Sequence, residues 1–287
     1  MNSPKHHEIP GRVTAIAGKG NLPALRIETD SSNAEIHLLG AHITHFQKNG
    51  GEPLLFMSAE SEFEPGKPIR GGVPIIFPWF GPREGLAAHG FARLASWDLL
   101  DTIVLPEGSI RLTFRLPAED AIAAEFRVTV GESLAMELSV TNTGASDFTF
   151  ENCLHTYFQI GDIHQIDIAG LQGTRYLDSL LASEFTETGE TIRFSGEVDR
   201  VYQNTAATVE IHDPSLRRTI HVRKRGSKST VVWNPWIAKS KRMPDFGDEE
   251  YHQMVCVESG NVKANAITLA PGEQSVLKVE VDSTPLG

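Results

Sequence analysis

Apolar and polar residues alternate with a period of two over long stretches of this chain, and that rhythm restricts its fold more than any other feature. Ile110, Leu112, Phe114 and Leu116 are interleaved with Arg111, Thr113 and Arg115. Phe126, Val128 and Val130 lead through Gly131-Glu132-Ser133 into Leu134, Met136, Leu138 and Val140, and Leu277, Val279 and Val281 are interleaved with Lys278 and Glu280. Successive side chains on a strand point to opposite faces, so such runs, joined by short turns, predict antiparallel sheet with one buried and one wet face. Helical signals are short: Ala118 to Glu125 and Gly247 to Gln253 each have room for a turn or two. Strands do not alternate with helices, which argues against a parallel α/β fold. The expectation is an all-β chain, one large antiparallel β-sandwich with few short helices. Residues 1–287 are expected to form a single domain, with 1–12 as a flexible N-terminal arm.

A chain of 287 residues can bury a full core without disulfides or a structural metal. Its net charge of −11 is offset by no long basic run. The longest cluster, Arg223-Lys224-Arg225, reads as a solvated strand end. Nucleic acid and anionic membrane are therefore not expected as partners. A small anion remains possible, because a local pair of arginines dominates the field inside a cleft. The two cysteines, Cys153 and Cys256, lie far apart without C-x-x-C spacing, which suits a reducing compartment and excludes the usual cysteine zinc site. Met1 to Val13 lacks an apolar leader core, and no apolar run reaches about eighteen residues. A cytoplasmic, monomeric protein is expected.

Three segments interrupt the strand rhythm. Pro68 to Trp97 is dense in glycine and proline, carries three aromatics between Phe77 and Phe80, and holds Arg70, Arg83, His89 and Arg93. Such composition predicts rigidly shaped loops, where binding residues concentrate, although a structural crossover has the same signature. Phe150 to Asp162 sets His155 in an apolar stretch beside Tyr157 and Phe158; a histidine there is a core residue or an acid–base group. Val231 to Asn261 contains Val255-Cys256-Val257, a buried-strand run that delivers Glu258 at its end. An acid in that position is either solvated at a rim or held in a polar cleft.

Taken together, PIRGGVPIIFPWFGP, HGFAR, CLHTYFQIGDI, VDRVY and the VVWNP…FGDEEYHQMVCVES stretch resemble the glucose-6-phosphate 1-epimerases, the hexose-6-phosphate mutarotases of the aldose 1-epimerase superfamily. The resemblance runs from about Ala34 to the final strand. It implies a β-sandwich of the galactose mutarotase-like type, no cofactor, and a small sugar phosphate as substrate. It places the catalytic histidine on His155 and the catalytic glutamate on Glu258. Substrate-binding positions fall on Arg70, His89, Arg93 and Asp199. Many members carry glutamine before the HGFAR histidine; this chain has Ala88, which bears on sugar preference.

The residue types suit the chemistry that the resemblance implies. Mutarotation removes the proton of the anomeric hydroxyl while protonating the ring oxygen, so an ionised Glu258 would be the base and a protonated His155 the acid. That assignment expects a low carboxylate pKa and an imidazole near or above neutrality, helped by a neighbouring acid. Arg70 and Arg93 offer fixed donors to phosphate oxygens, with Arg83 a further candidate. Asp199 would hold a sugar hydroxyl or, structurally, make a turn before Arg200. Trp79 and Phe80 would floor the sugar or pack in the core.

No metal site is expected. His42 and His45, three apart on a strand, would send their rings to opposite faces, and His6-His7 reads as a flexible terminus. Walker, G-x-G-x-x-G, H-E-x-x-H and G-x-S-x-G patterns do not occur. Two other functions fit the same fold: a carbohydrate-binding or metabolite-sensing module without turnover, and an aldose mutarotase acting on unphosphorylated sugar. The His155–Glu258 pair speaks against the first and the arginines against the second.

Overall fold

The computed structural model describes residues 4–117 and 121–286. Antiparallel sheets account for nearly all of its regular structure. A nine-stranded sheet runs in the order Thr191–Ile192, Asp167–Ala169, Val209–Asp213, Arg218–Arg225, Gln274–Pro285, Leu134–Asn142, Ile122–Val130, Ile110–Arg115 and Asp98–Val104. An eight-stranded sheet runs from Ser183–Thr186 through Arg175–Asp178, Val198–Gln203, Ser229–Asn234, Met254–Asn261 and Asn152–Leu154 to Ile75–Ile76, with Tyr157–Gln159 also paired to Met254–Asn261. Four N-terminal strands between Val13 and Lys48 make a third sheet. The one α-helix among the described residues is Trp236–Ser240.

The alternation explains the nine-stranded sheet directly. Ile110, Leu112 and Phe114 are buried, whereas Arg111 and Thr113 are not, and Phe126, Val128 and Val130 repeat the pattern on the next strand. Gly131 to Ser133 form the three-residue connection that sets Val130 opposite Leu134. The inward faces of the nine- and eight-stranded sheets share one apolar cluster, to which Phe126, Leu138, Val222, Phe158, Val232 and Val257 all belong. Burying each such side chain is worth about 1.5–3 kcal/mol relative to exposure.

The local expectations come out differently from one another. Ala118 to Glu125 is not a helical turn: 118–120 lie outside the described residues, and Ile122 onward is strand. The period-two burial of Ala124, Phe126 and Val128 overrides the helix preference of the Ala- and Glu-rich stretch. Gly247 to Gln253 ends in a 3-10 turn, Glu250–Gln253. Residues Pro4–His7 form another 3-10 turn, and Ile9 packs against the core. The basic cluster is split: Arg223 pairs with Glu280 and Asp282, but Lys224 is only 8 % exposed and points between the sheets. His42 and His45 do diverge, the first to the Gly71 carbonyl at 2.8 Å and the second to Asn33 Oδ1 at 2.7 Å.

Candidate active site

The central strand of the eight-stranded sheet, Met254–Asn261, is buried along its whole length, which is why it reads as an apolar run. Glu258 sits inside this strand, not at its end, and is 1 % exposed. Two short strands of the neighbouring segment pair with it, Leu154 opposite Ser259 and Tyr157 opposite Cys256. Continuing that register brings His155 level with Glu258, and the ladder opens there: the His155 amide donates to Pro74 O at 3.0 Å instead. His155 Nε2 lies 3.2 Å from Glu258 Oε1. Cross-strand neighbours are close by construction, so residues about a hundred positions apart meet without any special loop.

Both groups are desolvated. Burial pushes the Glu258 carboxyl well above its ordinary range, and the nearby Asp199 adds to the effect. Burial also pulls the His155 imidazole well below its ordinary value, reinforced by His89, Arg70 and Arg93. The expected arrangement, low carboxylate and high imidazole, is therefore inverted. The carboxyl that neighbours His155 is Glu258 itself, and no further acid lifts the imidazole. Both shifts run the same way, favouring a protonated carboxyl beside an unprotonated imidazole. Cys153 Sγ donates to the other carboxyl oxygen, Oε2, at 3.6 Å.

The glycine-rich loops bring cations to this pair. Arg70 is fixed by Asp245, to which Nε and Nη2 donate at 3.1 and 3.0 Å, and by the Tyr157 hydroxyl at 2.9 Å from Nη1. Burial opposes the Arg70 charge, and Tyr157 and Asp245 more than offset it. Gly72, with φ +59°, is required beside it, because a Cβ would lie 2.2 Å from Ile43 O. Gly90 is required likewise; its Cβ would meet Phe77 O at 1.9 Å. That close approach seats His89 edge-on to His155, ring centroids 5.9 Å apart. His89 Nδ1 accepts the Gly81 amide at 3.2 Å, so its Nε2 carries the proton. Burial, with Arg93, Arg70 and Lys263, holds the His89 pKa at about 3. Arg93 donates from Nη2 to Ala88 O at 2.8 Å, its buried Nε has no partner, and burial lowers its pKa to about 10. Asp199 lies in a strand, not a turn, opposite Trp233, with Lys239 at 3.8 Å.

A groove of about 550 Å³ crosses the nine-stranded sheet between Arg111, Arg127, Arg223 and Lys278. Its carboxylates, Glu137 and Glu280, are already ion-paired, and no acid–base pair faces it. The candidate acid–base pair is His155 and Glu258.

Residues 23–282 match the family model for aldose 1-epimerases. The chain belongs to the aldose 1-epimerase family. A relative from Cenchrus ciliaris, provisionally named a glucose-6-phosphate 1-epimerase, is 40 % identical over 270 residues, covering 88 % of this chain and 82 % of the relative. A relative of the same provisional name from Escherichia coli is 35 % identical and covers 83 % of each chain. The crystal structure of a provisionally assigned mutarotase from Salmonella typhimurium superposes with a TM-score of 0.89 at 31 % identity, over 97 % of this chain and 96 % of that one. The sheets of this aldose 1-epimerase family member thus have the galactose mutarotase-like arrangement.

The structure also brings residues to the site that the sequence did not single out for it. Trp233 is edge-on to His155 and Tyr157, at 6.1 and 6.0 Å. Tyr157 stacks on His155 at 4.8 Å. Lys263 reaches the Phe80 ring, 5.7 Å from its centroid, and Asp245 anchors Arg70. Tyr157 was legible from spacing, since residues two apart on a strand share a face. The others come from loops and distant strands. Trp79 is covered by Arg83 at 4.9 Å and donates to Ala87 O, which removes it as a free stacking platform.

Proposed function

We propose that this aldose 1-epimerase interconverts the α and β anomers of glucose 6-phosphate and related hexose 6-phosphates. The observation that carries the proposal is the 3.2 Å meeting of His155 Nε2 and Glu258 Oε1 beneath Arg70, His89 and Arg93. The anomeric oxygen and the ring oxygen of a pyranose are both bonded to C1, so the groups serving them must lie side by side. Transfer of the shared proton from Oε1 to Nε2 yields carboxylate and imidazolium without any proton entering the site. Glu258 then takes the proton of the anomeric hydroxyl as C1=O forms, and His155 gives its proton to the ring oxygen as the C1–O bond breaks. Rotation about C1–C2 and reversal of both transfers close the other anomer. The ring opening involves no net oxidation or reduction, so the reaction itself calls for no redox cofactor.

Arg93 has uncommitted donors for the phosphate, Arg70 retains part of its fork, and Lys263 stands nearby. The His89 Nε2–H and the Asp199 carboxylate suit sugar hydroxyls. These groups come from segments spread between Arg70 and Lys263, which supports a reading of residues 1–287 as one domain; a monomer is part of the same proposal. Two buried free cysteines, the charge of −11, and the lack of any helix among the described residues long and apolar enough to cross a membrane support a cytoplasmic protein without nucleic-acid or membrane partners.

Exchange NMR on glucose 6-phosphate tests the proposal. Wild-type protein should accelerate anomer exchange, and His155→Ala and Glu258→Gln should each lower the rate about 10²–10⁴-fold. Binding of the sugar phosphate with no acceleration by the wild-type chain would assign it to sensing instead. Equal rates on glucose 6-phosphate and free glucose would remove the phosphate from its specificity.

A further inference from the structure

Outside the site just described, the turn that follows Tyr157–Gln159 meets the 3-10 turn Glu250–Gln253 and gathers Asp162, His164 and His252. One ligand atom from each lies within 4.8 Å of the other two. We propose that these three side chains form a binding site for a divalent first-row transition ion of the zinc type.

Two imidazoles and one carboxylate are the donor set such ions prefer, whereas calcium and magnesium select oxygen. Asp162 Oδ1 and His164 Nδ1 are hydrogen-bonded at 2.9 Å, so an ion bound between them takes the place of the proton they share. Two atoms each bonded at about 2.0–2.2 Å to one ion have that separation when they are roughly at right angles. His252 closes the set, its ring 5.1 Å from that of His164. Glu249 stands 3.5 Å from His252 Nε2, placed to be a fourth ligand or the carboxylate that orients the ring.

The donors are held in place from outside. The backbone ties the two segments together, Ile163 N donating to His252 O at 2.8 Å and Ile160 N to Gln253 O at 3.0 Å. Asp162 is fixed by the His164 amide at 3.0 Å and by Gln165 Nε2 at 3.1 Å. Trp236 walls one side of His164, ring centroids 5.1 Å apart, and Tyr251 lies 4.1 Å from the His252 ring. Ligands carried on segments already docked to one another lose little freedom on binding. The 3-10 turn also ends the segment that carries Asp245, and Glu250 accepts the Gly247 amide at 2.8 Å and the Ala59 amide at 2.7 Å. A bound ion therefore braces the wall that holds Arg70.

The test is calorimetric titration of the full chain with Zn²⁺ at about pH 7.5, beside cobalt spectroscopy. The proposal expects one ion per chain at micromolar affinity, at least tenfold weaker binding in His164→Gln and in His252→Gln, and a higher melting temperature with Zn²⁺. Binding should persist in His6→Gln/His7→Gln, which excludes the N-terminal pair, and Co²⁺ should show no thiolate charge-transfer band, which excludes Cys256. No binding up to millimolar Zn²⁺, unchanged affinity in the His164→Gln/His252→Gln double variant, or a thiolate band would each overturn it.

Discussion

Asp245 accepts three hydrogen bonds from the Arg70 guanidinium, at 3.0, 3.1 and 3.2 Å, and thereby fixes the plane in which Arg70 faces His155 and Tyr157. The carboxylate comes from an irregular segment 175 residues further along the chain. Under the proposed function Asp245 acts on substrate through Arg70, as a positioning residue. Asp245→Asn keeps the shape but weakens the charge-assisted fork, at a cost of about 1.5–3 kcal/mol in stability. We expect KM for glucose 6-phosphate to rise about tenfold with a much smaller change in kcat. A fall in kcat at constant KM would place Asp245 in the chemical step.

The inverted pKa directions of His155 and Glu258 make a specific statement about pH. One proton shared by the pair gives the active form. Adding a second protonates the base, and removing the first deprotonates the acid, so the wild-type kcat profile is bell-shaped and belongs to the pair as a whole. In Glu258→Gln the base no longer titrates and the imidazole, still lowered by burial, stands alone. Its residual rate should fall with rising pH across about pH 5–8. A bell retained in Glu258→Gln would show that the acidic limb comes from another group.

The fold was open to sequence reasoning because the nine-stranded sheet exposes one regular face: Ile110, Leu112 and Phe114 cannot alternate with Arg111 and Thr113 on anything but a strand. The site was legible only in pieces. His155 alone reads as a core residue, and Glu258 reads as a strand end. Their meeting depends on a pairing register between strands about a hundred residues apart, which no local pattern encodes. Asp245 and Lys263 were silent for the same reason: one lies in a loop and the other opens a 3-10 turn, Lys263–Asn265, and the course of each is set by what it packs against. The environment of the pair was misjudged because local sequence shows the charges but not the depth of burial that governs their protons.

Lys224 gives a second pH-dependent signature, in stability. Its Nζ donates to Ser229 O at 2.8 Å and to Thr230 Oγ1 at 2.6 Å, both neutral, and burial lowers its pKa from 10.5 to about 7. Between about pH 7 and 10.5 the unfolded chain binds a proton that the folded chain does not, so stability rises with pH through that window; below pH 7 the cost of the buried charge is fully present. From pH 7 to 9.5 the contribution is about 3 kcal/mol. Urea denaturation at those two values should show wild type gaining on Lys224→Met by roughly that amount. Parallel behaviour of the two proteins would mean that Lys224 keeps an ordinary pKa.

The cations around His155 tie substrate recognition to the acid. Arg70 and Arg93 both depress the imidazole, so an anion that neutralises them makes the protonated form easier to reach. A phosphate carried on the sugar would do this each time substrate binds, and the energy of phosphate binding would then raise kcat, not only affinity. The same effect should be obtainable in two pieces. Phosphite dianion at millimolar concentration should accelerate anomer exchange of free glucose about tenfold or more in wild type, and the basic limb of the pH profile should move upward. Arg93→Ala should abolish the phosphite response and, by removing one of the charges that depress the imidazole, should itself raise the basal exchange of free glucose. Phosphite that binds without accelerating exchange would show that the arginines hold the phosphate but do not govern the proton on His155.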